Sequence, residues 1–192
     1  NDVNKNNQPI ILLLHGFPEL SFSWRNLMPE LAKEGFRVIA PDMRGYGLTT
    51  GGGKKYNNDI SEYRLLNLST DIIALLSALN IDHIDLLVGH DAGSSVAGIS
   101  ALIRPDIFKS VVMMSAPYAG APHIDTNLLI EDPIHKDLEK LNPPRKHYQS
   151  YYSTPEANKD MHLEKDKLHR FLRSYYHMKS ADWEENKPYE LG

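Results

Sequence analysis

A chain of 192 residues, 41% hydrophobic and 24% charged, is long enough to bury a real core and too apolar to stay disordered. Its net charge of −4 leaves no surplus of positive charge to neutralise phosphates, which disfavours nucleic acid and acidic membrane as partners. The absence of cysteine excludes disulfides, thiolate nucleophiles and Cys-based zinc sites, and the longest apolar runs fall far below the ~20 residues of a membrane span.

Residues 1–8 are polar, without a charged-then-apolar pattern, so no signal peptide is visible there and a cytoplasmic setting is expected. The run 9–14 reads as a short doubly covered strand. It is followed by His15, Gly16, Phe17 and Pro18 as a strand-to-loop turn. Residues 26–33 read as a helix and 36–40 as a second strand. The stretch Pro41, Asp42, Met43, Arg44, Gly45, Tyr46, Gly47 then forms a tight turn, read as structural. Gly51, Gly52 and Gly53 ahead of Lys54 tempt a phosphate-loop reading. It fails because the first glycine position of that motif holds Leu48 and the hydroxyl position holds Lys55.

Residues 66–79 carry Leu68, Ile72, Leu75, Leu76 and Leu79 at spacings of three and four, which predicts a helix with that face toward a sheet and Ser69 and Asp71 on the opposite, polar face. A strand over 84–88, a helix of small residues over 94–103 and a strand over 110–114 complete an alternation that predicts an α/β fold with a mostly parallel sheet. After Pro117 the strand pattern stops. Residues 155–178 become helical, with Leu168, Phe171, Leu172 and Tyr175 on one stripe.

The chemistry centres on Gly89, His90, Asp91, Ala92 and Gly93, between the strand 84–88 and the helix 94–103. Small-x-nucleophile-x-small at a strand-to-helix corner is the nucleophile elbow pattern. The turn is so sharp that the flanking positions have no room for side chains, and the middle side chain is presented at the sheet's carboxyl edge. Free N–H groups at the start of a helix favour an anion there. The competing reading is that Asp91 simply caps the helix. Where that elbow pattern occurs, an oxyanion hole takes the N–H of the residue after the nucleophile and one from the turn after an earlier strand, positions held here by Ala92 and Phe17.

The runs His15–Gly16–Phe17–Pro18–Glu19, Ser23–Trp24–Arg25, Asp42–Met43–Arg44–Gly45–Tyr46–Gly47 and Gly89–His90–Asp91–Ala92–Gly93 resemble, in order and approximate spacing, the soluble epoxide hydrolases, the Asp-nucleophile branch of the α/β-hydrolases. The resemblance implies an α/β-hydrolase core over residues 1–120 and the beginning of an inserted helical cap over 121–192. It also implies that a cap tyrosine matching Tyr148 donates a hydrogen bond to the epoxide oxygen. The alternative is that Tyr148 is one of several cap aromatics filling space, with Tyr151, Tyr152, Tyr175 and Tyr176 nearby. His15, Pro18, Trp24, His90 and Tyr152 are expected to line the substrate pocket.

Two steps are implied. The Asp91 carboxylate opens the ring by attacking carbon, and water then cleaves the ester with the help of a histidine base and its acidic partner. Neither a metal nor an organic cofactor is required, and the partners are a small apolar epoxide and water; the oligomeric state is not specified. The resemblance places the triad histidine and acid beyond Gly192, so the chain is expected to be a fragment that does not turn over. His123, His135, His147, His162, His169 and His177 are read as surface or cap residues.

Rival readings remain. Haloalkane dehalogenases share the Asp nucleophile but usually follow it with a Trp, where this chain has Ala92. Fluoroacetate dehalogenases use arginines just beyond the nucleophile, where this chain has Ala92, Gly93, Ser94 and Ser95. A relative that only binds a ligand in the lidded pocket is a different class of answer, because fold alone does not establish activity. A serine esterase fails because the elbow offers no hydroxyl.

Overall fold

The computed structural model describes residues 8–53, 55–116, 120, 133–161, 165–185 and 187. Two compact units emerge, Asn1–Pro122 and His123–Gly192.

The first unit is built on four parallel strands, β1 (Ile10–Leu14), β2 (Arg37–Ile39), β3 (Leu86–His90) and β4 (Val111–Met114), in the order β2-β1-β3-β4. The crossovers carry α1 (Leu27–Lys33), α2 (Leu65–Ala78) and α3 (Ala92–Ile103). Each strand lies within or next to the stretch its sequence predicts. The largest shift is at β3, which runs on to His90 while Ile84 makes only an isolated bridge to Phe108.

β1 explains the layering. Successive side chains of a strand point to opposite faces, so Ile10, Leu12 and Leu14 enter one core with Ile72 and Leu76 of α2 and Val96 and Ala97 of α3. Ile11 and Leu13 enter a second core with Trp24 and Val88, against which Met28 and Leu31 of α1 pack. All five β1 residues are buried, which is why the segment reads as an unbroken apolar run. β4 departs from the expectation of doubly covered strands. Its four residues are each about two-fifths exposed, because among the described residues β3 is its one strand neighbour.

The expected polar face of α2 is half right. Asp71 is bound by Arg44, whose Nε and Nη2 donate to the two carboxylate oxygens at 2.7 and 2.5 Å. Ser69, by contrast, is fully buried and accepts a hydrogen bond from the Ser100 hydroxyl at 2.9 Å. It lies three residues before Ile72 and seven before Leu76, on the buried face. A small hydroxyl there lets α2 and α3 approach while each satisfies the other.

The second unit contains α4 (Pro133–Glu139), α5 (Tyr148–Tyr152), α6 (Pro155–Met161) and α7 (Lys165–His177). The single helical stretch expected over 155–178 is thus α6 and α7, with residues 162–164 outside the described part. The Tyr151 hydroxyl donates to Asp160 at 2.5 Å, tying α5 to α6. His135 Nδ1 accepts the His147 N–H at 3.1 Å, and its Nε2 lies 3.2 Å from Glu139. His123 and His162 lie outside the described residues. Among those that are described, no helix is long and apolar enough to cross a membrane and no cluster of ligating side chains could hold a metal ion.

Candidate active site

The chain leaves β1 for β2 on one side of the sheet and later returns to place β3 on the other, so the carboxyl ends of β1 and β3 flank a topological switch point. In open α/β sheets that crevice is where ligands bind. Asp91 follows the end of β3 directly, and Gly16 and Phe17 follow the end of β1.

Asp91 has φ 52° and ψ −119°, a region that favours glycine and costs a non-glycine residue about 1–3 kcal/mol. The corner is held rigidly: the Asp91 N–H donates to the Met114 carbonyl at 3.0 Å, and the Ser94 N–H donates to the Asp91 carbonyl at 2.9 Å. Gly89 and Gly93 are required by close approach. A Cβ on Gly89 would overlap the Gly93 carbonyl, and one on Gly93 would lie 2.5 Å from the Leu14 carbonyl oxygen. α3 begins at Ala92, two residues earlier than its sequence predicts, because the elbow itself forms the first turn.

The capping alternative for Asp91 is overturned by this geometry. The residue occupies the N-cap position, yet its side chain makes no capping bond to α3. Instead Oδ1 accepts the Phe17 N–H at 3.0 Å, across 74 residues of sequence. The carboxylate is half-buried rather than lost in packing. Among the described residues the Ala92 N–H has no acceptor.

His15 and Trp24 are corrected as pocket residues. His15 is fully buried, its Nδ1 2.9 Å from the Gly16 carbonyl oxygen and its Nε2 accepting the Met43 N–H at 3.0 Å. The strand's buried alternation has not yet ended at residue 15, so the ring lies beneath the corner. Trp24 is 7% exposed within the second core, because the 3₁₀ turn Ser21–Trp24 directs its ring at β1. Pro18 is half-exposed after a cis Phe17–Pro18 bond, and Phe17 is exposed at the rim. His90, also half-exposed, has Nδ1 3.0 Å from Glu19 Oε2.

Two residues beside the elbow escaped the sequence reading. Glu19 joins the two corners, taking His90 at 3.0 Å and the Gly16 N–H at 3.4 Å. Tyr46, assigned to a structural turn, packs edge-on against His15 with ring centroids 4.8 Å apart. Burial, and then the negative charge of Asp91, raise its phenol above the ordinary range. Its signal was positional: the run that holds it follows β2, and so reaches the same sheet edge as the other two motifs.

In the second unit Tyr148 opens α5 with its side chain 49% exposed. Gln149 Nε2 donates to its hydroxyl at 3.3 Å, and its ring meets those of His147 and Tyr152 edge-on. The Tyr152 phenol is raised, chiefly by burial and then by Tyr175.

Comparison with known proteins places this geometry in a family context. The profile of the alpha/beta hydrolase fold matches residues 9–169. An epoxide hydrolase of Caballeronia sordidicola is 46% identical over 110 residues, 57% of this chain and 32% of that protein. Epoxide hydrolase B of Mycobacterium tuberculosis is 36% identical over 152 residues, 78% of this chain and 41% of that protein. Among solved structures, an epoxide hydrolase from an endophytic Streptomyces superposes with a TM-score of 0.64 at 35% identity, over 82% of this chain and 44% of that one. The chain therefore spans less than half the length of each of these three relatives.

Proposed function

Since the chain belongs to the alpha/beta hydrolase fold family, we propose that its chemistry is that of an epoxide hydrolase, with Asp91 as the nucleophile. One observation carries the reading: a strained, half-buried carboxylate that forgoes its helix cap to accept the Phe17 N–H at 3.0 Å. Similarity to epoxide hydrolases from several bacteria supports the substrate class.

The hydrogen bond divides the work between the two carboxylate oxygens. Oδ1 is held by the Phe17 N–H at 3.0 Å, so Oδ2 attacks the epoxide carbon. The carbon–oxygen bond of the ring breaks, and the departing oxygen takes up the proton offered by Tyr148. Oδ1 then becomes the carbonyl oxygen of the ester. When water adds to the carboxyl carbon, the negative charge develops on Oδ1, where the N–H groups of Phe17 and Ala92 receive it. The resemblance assigns activation of that water to a histidine with an acidic partner.

The test is single exposure of the chain to styrene oxide followed by intact-mass and peptide analysis. One substrate mass is expected on the peptide bearing Asp91, and none in Asp91→Asn. A label on another residue, or one that persists in Asp91→Asn, would remove Asp91 from the mechanism.

A further inference from the structure

Beneath the proposed oxyanion site lies a histidine that substrate cannot touch. His15 is fully buried, yet both ring nitrogens have protein partners: Nδ1 lies 2.9 Å from the Gly16 carbonyl oxygen, and Nε2 accepts the Met43 N–H at 3.0 Å. Because Nε2 faces a donor, the ring proton belongs on Nδ1, where it is donated to Gly16.

That carbonyl belongs to the same peptide unit as the Phe17 N–H. The Gly16–Phe17 bond is trans, so its C=O and N–H point in opposite directions from one rigid plane. A grip on the oxygen therefore aims the N–H. On the other side of the plane, that N–H reaches Asp91 Oδ1 at 3.0 Å. The Glu19 N–H also donates to the Gly16 oxygen, at 3.0 Å, but it belongs to the same four-residue turn and moves with it. His15 is anchored elsewhere, through Met43 after β2 and through the edge-on ring of Tyr46.

We infer that His15 is a positioning residue, a buried clamp whose Nδ1–H holds the Gly16–Phe17 peptide so that the Phe17 N–H stays aimed at the nucleophile's Oδ1. This deepens the proposed function and rests on Asp91 being the nucleophile. A core histidine that merely fills space would have no preference between its two bonds. The clamp does have one: the Gly16 bond acts on the site, and the Met43 bond holds the ring.

Two substitutions separate these bonds. His15→Asn keeps an amide donor near the place of Nδ1, and His15→Gln keeps an acceptor near the place of Nε2. With ¹⁵N-labelled chain, the His15 ring is expected to show a protonated Nδ1 and a bare Nε2. The Phe17 amide resonance is expected downfield and sensitive to Asp91→Asn. His15→Asn should keep that position and form the ester from styrene oxide faster than His15→Gln. His15→Gln should lose the downfield position and slow ester formation by about tenfold or more.

An Nε2–H tautomer in the unaltered chain overturns the inference. So does a Phe17 amide that stays put in His15→Gln, or an equal loss in both variants. Where neither variant folds, the ring tautomer of the unaltered chain decides, Nδ1–H upholding the clamp. If the unaltered chain forms no ester, the proposed function fails, while the Phe17 amide still reports whether His15 holds the peptide.

Discussion

The backbone of Gly16 passes so close to Asp91 that a side chain at residue 16 would bring its Cβ within 2.5 Å of the Asp91 Cβ and 2.9 Å of the His90 carbonyl oxygen. The two corners, one after β1 and one after β3, are in van der Waals contact through a position that tolerates only hydrogen. The hydrogen bond between Phe17 and Asp91 depends on this closeness.

Gly16→Ala is therefore expected to force the corners apart. Overpacking of this kind costs about 1–3 kcal/mol of stability. The carboxylate would lose its alignment with the Phe17 N–H, and a displacement on the order of 1 Å slows a positioned reaction by about a hundredfold. Ester formation on single exposure to styrene oxide and urea denaturation read the two effects separately. Wild-type ester formation in Gly16→Ala would show that the contact does not set the geometry of the carboxylate.

Backbone strain at Asp91 can be measured by comparing two variants that both lack the carboxylate. Glycine accepts φ 52° without its Cβ clashing, whereas alanine does not. The strain is worth about 1–3 kcal/mol, and glycine's greater freedom in the unfolded chain offsets up to about 1 kcal/mol of it. Asp91→Gly should thus be more stable than Asp91→Ala by about 1 kcal/mol in urea denaturation, with neither forming an ester. An Asp91→Ala that equals or exceeds Asp91→Gly would mean the corner is relaxed.

The framework of this site was legible because strands and elbow use local rules. The apolar run of β1, the small residues around Asp91 and the spacing of α2 each follow from one element alone. What escaped depends on which element lies opposite. Ser69 read as solvent-facing because hydroxyls usually are, and the Ser100 partner that permits its burial comes from α3. His15 read as a pocket residue because it opens a motif at the end of β1, but its partner Met43 lies 28 residues on, after another strand. Trp24 was drawn into the motif reading in the same way, although the face of a 3₁₀ turn, not proximity in sequence, sends it into the core.

Acid stability carries a signature of two exposed or half-exposed carboxylates. Asp106 receives Nε and Nη2 of Arg104 at 2.8 and 2.7 Å, and these bonds push its carboxyl from 3.8 down to about 2. Asp42 is also held below the carboxylate range, first by the Ser21 backbone N–H at 2.8 Å. A carboxyl depressed in the folded state adds stability that is complete above its unfolded value near 3.8 and disappears as the pH falls through the folded value. For Asp106 the window runs from 3.8 to about 2. Carboxyl-carbon NMR should find Asp106 titrating near the lower end, and Arg104→Gln should return it toward 3.8 with little change in unfolding midpoint, the pair being exposed. A midpoint near 3.8 in the unaltered chain would remove the ion pair from the account.

The role proposed for Tyr148 separates cleanly from stability. Its side chain is 49% exposed, and phenylalanine keeps the ring contacts with His147 and Tyr152, so Tyr148→Phe should leave the melting temperature unchanged. Removing the hydroxyl withdraws the donor to the departing oxygen, and positioned proton donors contribute about 10²–10⁴-fold. Ester formation should fall at least a hundredfold. Tyr152→Phe is the control from the same helix, α5, two side chains whose rings already touch edge-on. It should slow the reaction no more than a few-fold. If the pattern is reversed, with Tyr152→Phe crippled and Tyr148→Phe intact, the donor is Tyr152 and Tyr148 only packs. Equal and small effects in both would place the acid outside α5 altogether, because a ring-opening alkoxide formed at neutral pH without a donor would reverse faster than it could be protonated by water.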